Sequence, residues 1–218
     1  MIDSIIFDLD GTLWDSTGVS VNGWNQAIRE AGYDFVLSKK DVEATMGLSV
    51  DGMADVAFPM LPKKEDRIDL TWKCFAWEEK LLAEQGGVLM EGLLETLETL
   101  KKDYRLFIVS NCQDGYVQVF LKVHELEHFF EDFICAGDSG MSKGQNNLLL
   151  MKKKELANPV YVGDTTGDQE SAVEADIPFI YAKFGFGTVK DYEYGIDSLK
   201  ELPGVLKQIE EEQEKTAV

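Results

Sequence analysis

The chain alternates short apolar runs with longer amphipathic stretches. The first apolar run, residues 5–7, stops abruptly at Asp8. Further runs with the length and composition of buried strands occur at residues 105–109, 133–135, 160–162 and 177–181. Because these runs are apolar on both faces, they are typical of parallel strands that helices cover on both sides.

Helical periodicity fills the intervals between these runs. The predicted helices span residues 92–102, 114–123, 145–156 and 168–175. Strands that alternate with helices pair in parallel and are joined by crossover connections. The pattern therefore predicts an α/β fold with a parallel sheet between two layers of helices.

Residues 16–85 break this rhythm, because they contain several amphipathic stretches and no convincing strand. We interpret this region as a helical domain inserted after the first strand. The predicted catalytic core is then formed by residues 1–15 and 86–218. Gly86 and Gly87 are the predicted hinge on the carboxyl side of the insertion.

The longest amphipathic stretch of the insertion follows Pro62. Its large apolar side chains fall nearly all on one helical face and are Ile68, Trp72, Phe75, Leu81 and Leu82. This face is predicted to pack against the rest of the insertion.

The balance of charge narrows the possible partners. The chain has 21 Lys and Arg against 40 Asp and Glu, a formal net charge of −19. Such an acidic protein repels nucleic acid and anionic membranes, so we expect neither as a partner. The odd number of cysteines, three, favours a reducing compartment. With no apolar run of membrane-spanning length and no basic segment leading into one, we expect a cytoplasmic protein.

Reactive side chains follow the apolar runs or open the helices beside them. They are Asp8 and Asp10, Ser110 and Asn111, Lys143, and Asp164 with Asp168. The carboxyl ends of parallel strands lie at one edge of a sheet, so we expect these groups to meet there.

Their chemistry suits the transfer of a phosphoryl group. Carboxylate and carbonyl oxygens are the ligands that Mg²⁺ prefers, and Asp8, Asp164 and the backbone carbonyl of Asp10 are the predicted set. The ion would shield the carboxylate of Asp8, the predicted nucleophile, from a phosphate dianion. Lys143 adds a positive charge that supports the attacking carboxylate and the transferring oxygens.

The remaining groups complete this predicted mechanism. The Ser110 hydroxyl, with Asn111 and nearby backbone N–H groups, would bind the other phosphoryl oxygens. Asp10 would protonate the leaving alkoxide and then deprotonate the water that cleaves the aspartyl-phosphate. Asp168 is predicted to orient Lys143 or a metal-bound water from behind.

These segments resemble the motifs of the haloacid dehalogenase-like hydrolase superfamily. The matching residues are Asp8-x-Asp10-Gly-Thr, Ser110, Lys143 and Gly163-Asp164-x-x-x-Asp168, in that order along nearly the whole chain. The phosphoglycolate phosphatase and β-phosphoglucomutase subgroup is the most similar. The resemblance implies a doubly wound, Rossmann-like core with an inserted helical cap. It also implies that Asp8 is the nucleophile, Asp10 the acid and base, and Asp164 a magnesium ligand.

Two departures from the family pattern bear on specificity. Lys143 is followed by Gly-Gln-Asn where those relatives usually carry proline-rich residues. Residues 45–49, which resemble the substrate-facing loop of the cap, contain no basic cluster. No second phosphate group of the substrate is therefore assigned. Asp10 itself favours phosphoryl transfer, because the dehalogenases of the superfamily lack a carboxylate there.

We thus expect a Mg²⁺-dependent phosphatase that acts on a small phosphorylated metabolite, as a monomer or homodimer. One alternative is a sugar phosphomutase, which uses the same groups but returns the phosphoryl group to a sugar. Another is a signalling or binding module that holds an aspartyl-phosphate without turnover. His124 and His128 formally match a zinc-protease pattern, although a third ligand would have to be a carboxylate.

Overall fold

The computed structural model describes residues 1–216. Its strands are β1 (Ser4–Phe7), β2 (Trp14–Asp15), β3 (Val88–Leu89), β4 (Arg105–Ser110), β5 (Asp132–Cys135), β6 (Pro159–Gly163), β7 (Phe179–Ala182) and β8 (Tyr194–Ile196). Its helices are α1 (Thr17–Glu30), α2 (Lys39–Glu43), α3 (Val50–Ala57), α4 (Lys64–Gln85), α5 (Leu93–Leu100), α6 (Tyr116–Val123), α7 (Ala136–Ser139), α8 (Lys143–Lys154), α9 (Thr166–Glu174) and α10 (Leu202–Thr216).

A parallel sheet with the strand order β5-β4-β1-β6-β7-β8 forms the centre of the molecule. Strand β1 is central and pairs with β4 on one side and with β6 on the other. The order of the strands reverses at β1, which makes its carboxyl end the topological switch point where such sheets bind ligands. The predicted doubly wound α/β fold is confirmed.

Alternate residues of each strand face opposite layers of helices. On β1, Ile5 and Phe7 belong to the apolar cluster that includes residues of α5, α6 and α10. Ile6 belongs to a second cluster, with Phe107 and residues of α8 and α9. Both faces of the strands are apolar because helices cover each of them.

Helices α1 to α4 lie in residues 16–85, which we call the helical segment. Their buried side chains form an apolar cluster of their own, with Trp24 fully buried between Phe58 and Phe75. The predicted face of α4 is wrong in part: Trp72 is 48% exposed, whereas Thr71 and Glu78 are buried. Glu78 is buried instead, at the point where α1 closely approaches the backbone of α4.

The sequence did not predict the short strands. Strands β2 and β3 pair antiparallel and lie at the two points where the chain enters and leaves the helical segment. Strand β8 adds a three-residue edge to the sheet, parallel to β7. Runs of two or three residues are too short to show periodicity. Within residues 1–216, no helix combines the length and apolarity needed to cross a membrane.

Candidate active site

Three of the predicted groups meet at the carboxyl edge of the sheet. Asp8 directly follows β1, Lys143 opens α8, and Asp168 lies in the first turn of α9. Lys143 Nζ donates hydrogen bonds to Asp8 Oδ1 and to Asp168 Oδ1, both at 2.6 Å. All three side chains are buried. The sequence therefore placed these residues correctly, while their catalytic roles stay predictions.

Negative charge exceeds positive charge at this point. Burial and the carboxylate of Asp168 raise the pKa of Asp8 well above its usual range, and Lys143 opposes both. Burial by itself lowers the pKa of Lys143, but Asp168 and Asp8 raise it well above its usual range. The ammonium is therefore charged at neutral pH, and one further positive charge would relieve the repulsion among the carboxylates.

Asp164 follows β6 and is fully buried. The backbone N–H groups of Phe186 and Gly187 donate to its Oδ2 at 2.6 and 3.1 Å. Its Oδ1 has no hydrogen-bond partner among the described residues. Gly11 is required beside it, because a Cβ there would lie 2.4 Å from Asp164 Oδ2 and the backbone φ is +83°. Burial and the charge of Asp168 raise the pKa of Asp164 to about 7.

These features fit a small divalent cation. One carboxylate oxygen each from Asp8, Asp164 and Asp168 lie within 4.8 Å of one another. An unpartnered buried oxygen and surplus negative charge are what a hard cation satisfies. The carboxylate of Asp10 is outside this cluster, and a ligand role for its backbone carbonyl stays a prediction.

Asp168 is held by its own helix. Thr165 and Asp168 form a capping box at the start of α9, and Asp168 Oδ2 accepts hydrogen bonds from the N–H groups of Asp164 and Thr165. Since its other oxygen accepts from Lys143, both oxygens are occupied. The geometry suits a residue that positions Lys143 better than a direct metal ligand.

Two nearby donors and one from a distant part of the chain hold Asp10. Trp14 Nε1, Ser16 Oγ and the Tyr116 hydroxyl all lie 2.8–2.9 Å from Asp10 Oδ1. Burial nevertheless raises the pKa of Asp10 above its usual value. A carboxyl group that is protonated more readily suits a general acid. Sequence reasoning missed these three donors; Tyr116 is 106 residues away and carries no local signal.

Ser110 is the last residue of β4 and Asn111 follows it, and both line the same cavity as Asp8 and Asp10. Ser110 Oγ accepts a hydrogen bond from the N–H of Cys112 at 3.3 Å. Asn111 Nδ2 donates to the carbonyl of Gly47 at 2.9 Å, in the loop that resembles the family's substrate-facing segment. Asn111 thus joins the sheet edge to the helical segment, a contact that the sequence did not suggest.

The cavity between the sheet edge and the helical segment has about 390 Å³ of empty space, its open mouth included. Met46, Met53 and Phe75 provide apolar walls, and Glu78 with Gln113 adds polar groups that sequence reasoning missed.

The two histidines lie apart from this cavity. His124 ends α6 and packs against Trp14 and Phe120, while His128 stacks on Phe129. Among residues 1–216, the cluster of potential metal ligands consists of Asp8, Asp164 and Asp168, without a histidine. The geometry therefore gives the zinc-protease alternative no support.

Comparison with known proteins agrees with this site. The model of the family described as haloacid dehalogenase-like hydrolase matches residues 5–182. A probable phosphatase, IndB, of Dickeya dadantii is 26% identical over 84% of this chain and 82% of its own length. The phosphoglycolate phosphatase of Vibrio parahaemolyticus is 27% identical over 92% and 94%. A haloacid dehalogenase-like hydrolase from Streptococcus pneumoniae superposes with a TM-score of 0.82 at 22% identity, covering 94% of this chain and 98% of that one.

Proposed function

The chain belongs to the haloacid dehalogenase-like hydrolase family and is a phosphatase, and we propose that it hydrolyses a small phosphorylated metabolite through an aspartyl-phosphate on Asp8. The convergence of Asp8, Lys143 and Asp168 at the switch point of the sheet carries this proposal, because Lys143 lies 2.6 Å from both carboxylates. Asp164, with its unpartnered oxygen, supports a neighbouring cation site.

In the proposed first step, a carboxylate oxygen of Asp8 attacks phosphorus and the bond from phosphorus to the leaving oxygen breaks. Asp10 gives its proton to that oxygen, so the alcohol departs neutral. Ser110 and backbone N–H groups hold the phosphoryl oxygens, while Lys143 keeps the Asp8 carboxylate in place.

In the second step, Asp10 accepts a proton from the attacking water. The bond between phosphorus and Asp8 breaks, which releases phosphate and restores the carboxylate of Asp8. Asp8, Asp164 and the backbone carbonyl of Asp10 would hold Mg²⁺. When bound, the ion neutralises charge on the phosphoryl oxygens. Asp168 acts through Lys143 and touches no reacting atom.

We also propose that residues 16–85 form a cap over this site. Their separate apolar cluster and the β2–β3 pair at their two ends support a unit distinct from residues 1–15 and 86–218. Closure of such a unit over the substrate would exclude bulk water. A cytoplasmic location, and a monomer or homodimer, remain predictions.

The test is hydrolysis of p-nitrophenyl phosphate and a metabolite panel, with and without Mg²⁺. We expect Asp8→Asn to lower turnover by roughly a thousandfold or more, since the nucleophile is lost. Asp103→Asn is the matched control, because Asp103 is an exposed carboxylate that is far from Asp8 in the sequence.

Full activity of Asp8→Asn would overturn the nucleophile assignment. Isomerised sugar phosphate instead of free phosphate would identify a phosphomutase. A stable phosphorylated protein without turnover would favour the signalling alternative.

A further inference from the structure

Glu78 is a carboxylate of the cavity that the proposed reaction does not use. It lies on α4, is only 3% exposed, and lines the cavity together with Asp8 and Asp10. Its position is fixed by the crossing of α1 and α4: a Cβ at Gly23 would lie 2.9 Å from the backbone nitrogen of Glu78. Only glycine allows this approach, which turns Glu78 toward the substrate space.

No positive group balances Glu78. Its neighbouring donors are neutral: Gln113 Nε2 donates to Glu78 Oε2 at 3.4 Å, and the Ser20 hydroxyl and the Trp24 indole also lower the pKa of Glu78. None of the described residues that line the cavity is Lys, Arg or His. Burial raises the pKa of Glu78 to about 7, and the charge of Asp10 adds to this effect. The carboxylate thus has neutral donors but no cationic partner among the described residues that line the cavity.

The two ends of the cavity differ in what they can bind. At the Asp8 end, Lys143 and the proposed cation offset the charge of a phosphoryl group. At the Glu78 end, a second anion on the substrate would meet carboxylates without a counter-charge, which is strongly unfavourable. A hydroxyl or ammonium donor of the substrate would instead be favourable beside Glu78, since a hydrogen bond to a charged group is stronger than one between neutral groups.

We propose that the leaving group of the substrate carries a hydroxyl or ammonium donor that binds Glu78, and that it carries no second anionic group. This inference rests on the phosphatase function proposed above. It separates the chain from its relative in Vibrio parahaemolyticus, because phosphoglycolate, named there, carries a carboxylate.

The first experiment compares kcat/KM at pH 8 with Mg²⁺ for 2-aminoethyl phosphate, glycerol 1-phosphate, phosphoglycolate and propyl phosphate. We expect the two donor-bearing esters to exceed phosphoglycolate by about tenfold or more. Propyl phosphate, which has neither a donor nor a second anion, should fall between them. Glu78→Gln should reduce the preference by about tenfold, mainly through KM, and most for the ammonium ester.

Glu79→Gln is the matched control, because Glu79 is the exposed neighbour on α4 and is absent from the lining of this cavity. It should keep the wild-type ratio. Equal or better hydrolysis of phosphoglycolate by the wild type, or an unchanged ratio in Glu78→Gln, would overturn the inference.

A binding experiment separates this inference from the proposed function. Calorimetry with Asp8→Asn should show tighter binding of 2-aminoethyl phosphate than of phosphoglycolate, and Glu78→Gln in that background should remove the difference. Equal binding of the two ligands in both proteins would contradict the inference. If p-nitrophenyl phosphate hydrolysis were absent or unaffected by Asp8→Asn, the proposed function would fail, while the binding comparison would still decide the role of Glu78.

Discussion

The two ends of the cavity carry buried carboxylates in opposite situations. At the sheet edge, Asp8 and Asp168 share the ammonium of Lys143 at 2.6 Å. At the helical segment, Glu78 is faced by the neutral donors of Gln113, Ser20 and Trp24, and none of the described residues that line the cavity is cationic. The first arrangement contains a counter-charge from the chain itself. The second contains neutral donors only, which is why we propose that the sheet edge provides the chemistry and the helical segment the selectivity.

The largest expected effect concerns Asp10 at the sheet edge. Asp10→Asn should lower steady turnover by about 10²–10⁴-fold, because both proton transfers depend on this carboxyl group. With p-nitrophenyl phosphate, whose leaving group needs no proton, a burst of one product per enzyme should remain. Rapid-mixing kinetics would show it. An unchanged steady rate would remove Asp10 from the mechanism.

The ion pair at the sheet edge should also support the fold. Lys143→Met leaves two buried carboxylates without their partner, and we expect unfolding free energy to fall by about 3–5 kcal/mol. Lys39→Met is the control, since its ion pair with Asp15 is half exposed and should contribute less than about 1 kcal/mol. Urea unfolding measures both. Similar losses of unfolding free energy in the two variants would show that the buried ion pair contributes no more than the exposed one.

A divalent cation should stabilise the sheet edge alone. At a hundredfold excess over its dissociation constant, Mg²⁺ should add about 2.7 kcal/mol, which raises the Tm by roughly 5–10 °C. Asp164→Asn should abolish the shift, while Glu78→Gln should keep it. Thermal unfolding at constant ionic strength is the measurement. A shift that survived Asp164→Asn would place the cation elsewhere.

The smallest expected effect concerns Glu78, in the helical segment. The pKa of Glu78 is raised to about 7 in the folded state, above an unfolded value of about 4.3. Folding therefore favours the protonated form, and this stability is lost as pH rises toward and through 7. Between pH 5 and pH 8, the unfolding free energy of the wild type should fall by about 2–3 kcal/mol relative to that of Glu78→Gln. Only the wild type carries an ionisable group at position 78, and the other titratable groups are common to both proteins. If unfolding free energy changed with pH in the same way in the wild type and in Glu78→Gln, the pKa of Glu78 would have its ordinary value.

Much of the sheet edge could be predicted from local sequence. Asp8, Ser110 and Asp164 each follow an apolar run, and parallel strands bring the ends of such runs to one edge. The capping box of Thr165 and Asp168 is also a local signal. The Tyr116 donor to Asp10 could not be predicted in this way, since it is 106 residues away in the chain.

The face of α4 shows where periodicity fails. Hydrophobicity favoured Trp72, yet Trp72 is 48% exposed and Glu78 is buried. Apolar spacing finds the face that would be buried if packing were the only demand on a helix. Packing alone would not bury a carboxylate, yet Glu78 is buried and lines the cavity. Such local conflicts are expected at functional positions.

The sequence by itself determined the alternation of strands and helices, the position of the helical segment, and the order of the acidic, hydroxyl and lysine motifs. These depend on neighbours within a few residues, because strand and helix periods and chain order are local properties. Tertiary structure decided which donors hold Asp10 and that Glu78 faces the substrate space. The Tyr116 donor and the burial of Glu78 depend on contacts between residues far apart in the chain, and for Glu78 the contact is the close crossing of α1 and α4 at Gly23.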